Sequence, residues 1–68
     1  MSISRTTEVK SGSAISFDDA MKKGLARARK TIRNIKSAWI WNQEVILDDK
    51  GKIAEYRVQM KITFLLDD

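Results

Sequence analysis

This 68-residue chain contains neither cysteine nor histidine. The lack of cysteine excludes disulfides and thiolate zinc sites. The lack of histidine removes the commonest metal ligand, the usual general base and every Ser-His or Cys-His nucleophile pair. No apolar run approaches the roughly 18 residues of a membrane span, and residues 1–12 lack the apolar segment of a signal peptide. We therefore expect a soluble, cytoplasmic protein whose chemistry, if any, uses carboxylates, lysine, tyrosine or a bound cofactor.

The chain is also short, and we expect residues 1–68 to form a single domain. A chain of this size buries only about 60% of its unfolded surface when it folds. Small folds usually need an additional source of stability, and disulfides and thiolate metal sites are excluded here. The sequence therefore predicts self-association.

The net charge is +4 and the isoelectric point is about 9.7, which raises the alternative of a small basic nucleic-acid-binding domain. Most of the basic residues lie in one segment with a helical pattern. No aromatic or Gly-rich RNA-binding motif accompanies them, so we interpret this basic face as a solvated or intersubunit surface. Its members are Lys22, Lys23, Arg27, Arg29, Lys30, Arg33 and Lys36.

In the segment from Lys52 to Leu66, apolar and polar residues alternate from Ala54 to Phe64. Successive side chains of a strand point to opposite faces, so this pattern predicts one long strand with a core face and a wetter face. The apolar members are Ala54, Tyr56, Val58, Met60, Ile62, Phe64 and Leu66, and the polar members are Glu55, Arg57, Gln59, Lys61 and Thr63.

The remaining elements follow from local patterns. Residues Ile3 to Lys10 are rich in β-branched side chains and predict a first strand, which a break at Ser11–Ala14 ends. Ser16 is a candidate N-cap, and the apolar spacing from Phe17 to Ile35 predicts an amphipathic helix. The tryptophans and β-branched residues of Ala38–Leu47 predict a second strand. The fold class is therefore α+β, in the order β-α-β-β, with a three-stranded antiparallel sheet curled around one helix.

A three-residue loop, Asp49-Lys50-Gly51, is expected to join the last two strands, with Gly51 in the left-handed region. Directly opposed residues share a face, so this register would place both tryptophans on the polar face of the sheet. A slip by one residue would move them into the core. The predicted pairs are Asp48 with Lys52, Gln43 with Arg57, Trp41 with Gln59, and Trp39 with Lys61.

Trp39 and Trp41 are the main candidates for function, because two indoles on a polar face would leave a large apolar area exposed in a monomer. One interpretation is a subunit interface, where tryptophan and arginine are common anchors. The other is a flat aromatic ligand that stacks on indole and accepts hydrogen bonds from glutamine or arginine. The two interpretations are compatible if the ligand lies between subunits.

The acidic pairs carry a weaker signal. Asp48 and Asp49 are interpreted as turn residues that could also contribute oxygens to a calcium ion, and Asp67 and Asp68 as a solvated tail. No pair is expected to act as a catalytic dyad.

Two stretches of the sequence resemble the dodecin family. These are SFDDAMKKGLARARKTIRNI in the helical segment and GKIAEYRVQMKITF in the last strand, within a resemblance that spans about residues 6 to 66. The resemblance implies a hollow homododecamer with cubic 23 symmetry. It also implies that flavins, FMN or riboflavin, stack in pairs near the three-fold axes as a store or buffer, without catalysis.

The flavin-binding pattern of dodecins does not carry over intact. At the positions where flavin-binding members have a tryptophan and a glutamine, this chain has Ser37 and Arg57. Trp39 and Trp41 are expected to share a face with Ser37, and Arg57 and Gln43 are the expected polar partners of the ligand. The alternative is a dodecin shell that binds calcium or a nucleotide-like ligand such as coenzyme A.

Overall fold

The computed structural model describes residues 3–66 and confirms the α+β fold. Both strand pairings are antiparallel and the strand order is β1-β3-β2, so the long last strand lies at the centre of the sheet. None of the helices within 3–66 has the length and apolar character needed to cross a bilayer. The expected tail at Asp67 and Asp68 lies outside the described residues. The elements are β1 (Ser4–Ser13), α1 (Phe17–Ala28), β2 (Ile35–Leu47) and β3 (Ile53–Leu65).

Strand β1 is longer than predicted, because the expected break at Ser11–Ala14 begins only after Ser13. Residues 11–13 continue the ladder with β3, and Gly12 lies opposite Arg57. A Cβ atom on Gly12 would come within 2.7 Å of a Glu55 carboxylate oxygen, so glycine makes room for that side chain. Cross-strand pairing therefore overrides the low strand propensity of this segment.

Ser16 caps α1 as predicted. Its hydroxyl accepts a hydrogen bond from the backbone N–H of Asp19 at 3.0 Å, and Asp18 and Asp19 lie in the first turn. The Asp19 carboxylate in turn accepts a hydrogen bond from the buried Ser13 hydroxyl at 2.5 Å. This hydrogen bond, followed by the interaction with Lys23, holds the pKa of Asp19 below its ordinary value of 3.8. Asp19 thereby ties the end of β1 to the start of α1.

The C-terminal end of the helix was predicted wrongly. Helix α1 ends at Ala28, and Ile32 and Ile35 do not extend it. After Ala28 the chain forms a tighter turn, in which the N–H of Lys30 donates to the carbonyl of Arg27 three residues earlier. The chain then reverses at Asn34, which has a φ of 60°. Ile35 instead begins β2 opposite Phe64, three residues before the predicted start of that strand at Ala38.

The core lies between α1 and the centre of β3. Val58, Met60 and Ile62 are completely buried, which confirms that alternate residues of β3 face the helix, whereas Phe64 is only half-buried. The helix approaches the sheet closely at Gly24, where a Cβ atom would lie 2.6 Å from the Met60 methyl carbon. Partly buried apolar residues complete the packing: Val9, Phe17, Met21, Leu25, Ala38 and Ile40.

The isolated chain leaves many large apolar side chains exposed. Its Cα atoms span 53 × 20 × 14 Å, so one helix covers only part of the long sheet. The β2–β3 turn forms as predicted: Gly51 has a φ of 79°, and the Asp48 N–H bonds the Lys52 carbonyl at 2.8 Å. The large exposed apolar residues are Ile3, Ile15, Trp39, Trp41, Val45, Leu47, Ile53 and Leu66.

Candidate functional site on the open face of the sheet

The candidate site lies on the sheet face that points away from α1, which we call the open face. Its residues on β3 alternate with the buried core residues of the same strand. Their partners on β2 are one tryptophan and three polar residues. The pairs on this face are Ser37 with Thr63, Trp39 with Lys61, Asn42 with Gln59, and Glu44 with Arg57.

The register of the β2–β3 hairpin agrees with prediction at Trp39 and at the turn, but not in the segment between them. Trp39 lies opposite Lys61 as expected, whereas Asn42 and not Trp41 lies opposite Gln59. The register shifts between Ile40 and Asn42, so Trp41 is an extra residue on β2. Such a bulge sets two residues against one on the partner strand and re-aims a side chain.

Gln43 is displaced by the same shift. It lies opposite Val58, on the helix side of the sheet, while Glu44 takes the predicted place opposite Arg57. Within one chain, therefore, Gln43 does not join the open face, and the predicted pair of Gln43 with Arg57 is wrong. Side chains alternate only while the ladder is regular, and the bulge at Trp41 inverts the order on the residues that follow it.

Trp39 and Trp41 form an exposed indole pair around one cation. Trp39 is 63% exposed and Trp41 is 40% exposed. The Lys61 Nζ lies 5.4 Å from the ring centroid of Trp39 and 5.3 Å from that of Trp41. Both distances are within the range of cation–π attraction. The structure therefore brings the two predicted indoles together, with a lysine between them.

A row of polar groups lies beside the indole pair. The Asn42 side-chain amide donates to the Gln59 carbonyl oxygen at 2.6 Å, and the Gln59 amide donates to a Glu8 carboxylate oxygen at 3.4 Å. The row crosses all three strands, since Glu8 belongs to β1. It fixes the Gln59 amide, which can then present a defined edge to a ligand.

Arg57 lies further along the open face and is engaged by acidic neighbours. Its guanidinium donates to the Glu55 carboxylate in an ion pair, and Glu44 lies opposite it on β2. The hydrogen bond with Glu55 first, and the charges of Glu55 and Glu44 next, raise the pKa of Arg57 above its ordinary value. Part of its hydrogen-bonding capacity is therefore used within the chain.

A shallow cavity of about 200 Å³ opens beside Arg57. Ligand pockets that enclose a small molecule usually measure about 300–1,000 Å³, so one chain supplies only part of such an enclosure. A flat ligand on this face would need walls from neighbouring chains. The cavity is lined by Lys10, Ser11, Gly12, Glu44, Arg57, Val58 and Gln59.

Ser37 lies at the other end of the open face, opposite Thr63. Of the site residues chosen from the sequence, the open face brings together all except Gln43, namely Ser37, Trp39, Trp41 and Arg57. Sequence reasoning did not choose Lys61, Asn42 or Gln59. The signal for Lys61 was its place opposite Trp39. Asn42 could not be found, because its face depends on the bulge at Trp41.

Three of the other candidates from the sequence make contacts within the chain. Two lysines of the basic helix face form ion pairs with aspartates one helical turn earlier. Lys22 pairs with Asp18 at 3.0 Å, and Lys23 pairs with Asp19 at 3.2 Å. The Asp48 carboxylate accepts the backbone N–H groups of Lys50 and Lys52, both at 2.9 Å. Within residues 3–66, no group of three or more acidic, histidine or cysteine side chains is placed to hold a metal ion.

The family model for dodecins matches residues 3–67. The chain belongs to the dodecin family. This confirms the resemblance inferred from the helix and last-strand motifs.

Solved and curated dodecins are similar over nearly the whole chain. A dodecin from Streptomyces davaonensis has a TM-score of 0.92 and 31% identity, covering 98% of this chain and 97% of its own. A calcium dodecin from Mycobacterium tuberculosis is 28% identical over 64 residues, covering 94% of this dodecin and 89% of its relative. The crystal structure of a calcium-chelating calcium dodecin from the same organism has a TM-score of 0.84 and 25% identity. The match covers 96% of this chain and 91% of the calcium dodecin.

Proposed function

We propose that this dodecin assembles into a homododecameric shell in the cytoplasm and stores or buffers a flavin, FMN or riboflavin, without catalysis. The observation that carries the proposal is the indole pair, Trp39 and Trp41, which is exposed on the open face. Indole offers a flat surface on which an isoalloxazine ring can stack. The exposed apolar residues at the ends of the sheet support assembly, since neighbouring chains would cover them.

The polar groups beside the indoles fit a ring rich in carbonyl and imide groups. Gln59 presents an amide with a fixed orientation, and Arg57 keeps donors beyond those used by Glu55. Stacking adds only about 0.5–1.5 kcal/mol beyond the burial of area. Storage would therefore depend on enclosure between chains, with Ser37 leaving room where other members have an indole.

Titration with riboflavin and FMN tests the proposal. Stacking on indole should quench both flavin and tryptophan fluorescence. Trp39→Ala should remove much of the quenching, while Trp39→Phe, which keeps a flat ring, should retain part of it. Absence of binding at about 100 µM flavin, which corresponds to a binding free energy weaker than about 5.5 kcal/mol, would overturn flavin storage.

The second candidate is a dodecin shell that binds calcium, and the similarity to the calcium dodecin of Mycobacterium tuberculosis favours it. Calcium takes about 6–8 oxygen ligands. Asp49 in the β2–β3 turn could supply one from each chain, since Asp48 is engaged by backbone N–H groups. Calorimetric titration with calcium should then give a signal that Asp49→Asn weakens. Loss of the signal only on Glu44→Gln would place the ion on the open face instead.

A further inference from the structure

Lys61 occupies the surface on which a flat ligand would stack. Its ammonium nitrogen lies 5.4 Å and 5.3 Å from the ring centroids of Trp39 and Trp41. The negative face of each indole attracts this cation. A planar molecule that stacks on the same rings must therefore displace the ammonium or lie against it.

The neighbouring charges leave Lys61 as a cation directed at the indole pair. Glu8 lies opposite Lys61 on β1, and its carboxylate accepts a hydrogen bond from Gln59 at 3.4 Å. Arg57, further along β3, is paired with Glu55. A ligand on the indoles thus meets the positive charge of Lys61, and the nearest acidic partner of Lys61 is Glu8 on the neighbouring strand.

We propose that Lys61 determines ligand specificity at the indole pair and selects flat aromatic anions over flat aromatic cations. The inference rests on the proposed function in placing a flat ligand at Trp39 and Trp41. The anion gains an ionic contact with the ammonium, whether or not the ammonium leaves the ring faces. The cation loses the site to Lys61, which already makes the same cation–π contacts.

Two three-ring probes of opposite charge test the selectivity. Anthraquinone-2-sulfonate is a flat anion and proflavine is a flat cation, and each is titrated into the native assembly while tryptophan fluorescence is followed. One unit charge near a bound ligand in a water-like environment changes affinity about fivefold, so attraction of one probe and repulsion of the other predict at least a tenfold preference for the anion.

Three variants assign the preference to its source. Lys61→Met keeps an unbranched stem but removes the charge, so the preference should fall to about threefold or less. Lys61→Arg keeps the charge and should keep the preference. Lys52→Met, at the exposed hairpin turn, removes the same net charge elsewhere and should leave the preference unchanged. Circular dichroism and light scattering check that each variant folds and assembles.

A native preference that falls in Lys61→Met and survives in Lys61→Arg and Lys52→Met supports the proposal. An unchanged preference in Lys61→Met, an equal fall in Lys52→Met, or no native preference overturns it. If Lys61→Met fails to assemble, loss of the preference in Lys61→Gln supports the proposal and its survival overturns it. Flavin titration is read separately: no binding of either riboflavin or FMN defeats flavin storage, whereas flavin binding without charge selectivity defeats only the role of Lys61.

Discussion

Ala54 of β3 and Trp41 of β2 are compensating extra residues in one hairpin. Ala54 has no partner between Ile53 and Glu55, and it shifts the register by one residue. Further from the turn, Trp41 has no partner and shifts the register back by one residue. Trp39 therefore lies opposite Lys61, the pair that the register of the turn predicts. The segment between the two bulges has inverted faces. The bulge that restores the register also carries the second indole of the candidate site.

Assembly is the first prediction. The single chain exposes apolar side chains at both ends of the sheet, including Ile3 at one end and Leu47 at the other, so folding and association should be coupled. The melting temperature should therefore rise with protein concentration, and light scattering should give the mass of a closed oligomer of twelve chains. A monomer whose melting temperature does not depend on concentration would contradict this prediction.

Met60→Ala should lower the free energy of unfolding by about 2–5 kcal/mol. The Met60 side chain is completely buried against Gly24 of α1, so its loss leaves a cavity. Thr6→Ala, on the exposed part of β1, is the control and should change stability by about 0.5 kcal/mol or less. Denaturant unfolding at one protein concentration measures both. Similar losses in the two variants would mean that the faces of the sheet are assigned wrongly.

Gly24→Ala should destabilise the protein, although alanine favours a helix by about 1 kcal/mol. The new Cβ would lie 2.6 Å from the Met60 methyl carbon and 3.0 Å from the Ser11 Cβ, and such overpacking typically costs about 1–3 kcal/mol. The matched reverse change, Ala26→Gly on the exposed side of α1, should cost about 0.5–1 kcal/mol from propensity alone. A higher melting temperature for Gly24→Ala would refute the close approach.

Asp19 should make stability depend on pH in acid. Its pKa is lowered in the folded chain, mainly by the Ser13 hydroxyl, so the folded state binds this proton less readily than the unfolded state. The stabilisation is present above pH 3.8 and is lost as the pH falls through the lower folded pKa. Asp19→Asn should make the free energy of unfolding depend less steeply on pH at acid pH. Asp18→Asn removes the same charge from the same turn and should reduce this pH dependence less than Asp19→Asn does. An equal effect of the two variants would exclude a special role for the Ser13 contact.

Ser37→Trp with Arg57→Gln restores the residues typical of flavin-binding dodecins and should tighten riboflavin binding. Ser37 lies in the same row as Trp39, so the added indole would extend the stacking surface. Replacing Arg57 also leaves Glu55 without its ion-pair partner, and Arg57→Gln with Glu55→Gln is the control for that effect. Flavin binding by the Ser37→Trp, Arg57→Gln variant but not by the native protein would exclude flavin storage by this chain.

Much of the fold follows from local patterns in the sequence. The alternation along β3 correctly predicted that Val58, Met60 and Ile62 face the helix, since side chains of a strand alternate regardless of what pairs beside them. Ser16 was found as the N-cap because a hydroxyl three residues before a helical N–H can satisfy it locally.

The tertiary structure decided where elements end and which β2 residues share a face. Helix α1 ends at Ala28, although apolar spacing continues to Ile35, and Ile35 pairs instead with Phe64 near the end of the central strand. Within one chain, Gln43 lies off the open face and Asn42 lies on it because of the bulge at Trp41. A bulge depends on hydrogen bonds between strands, so its position is set by the packing of the whole sheet and not by the period of either strand.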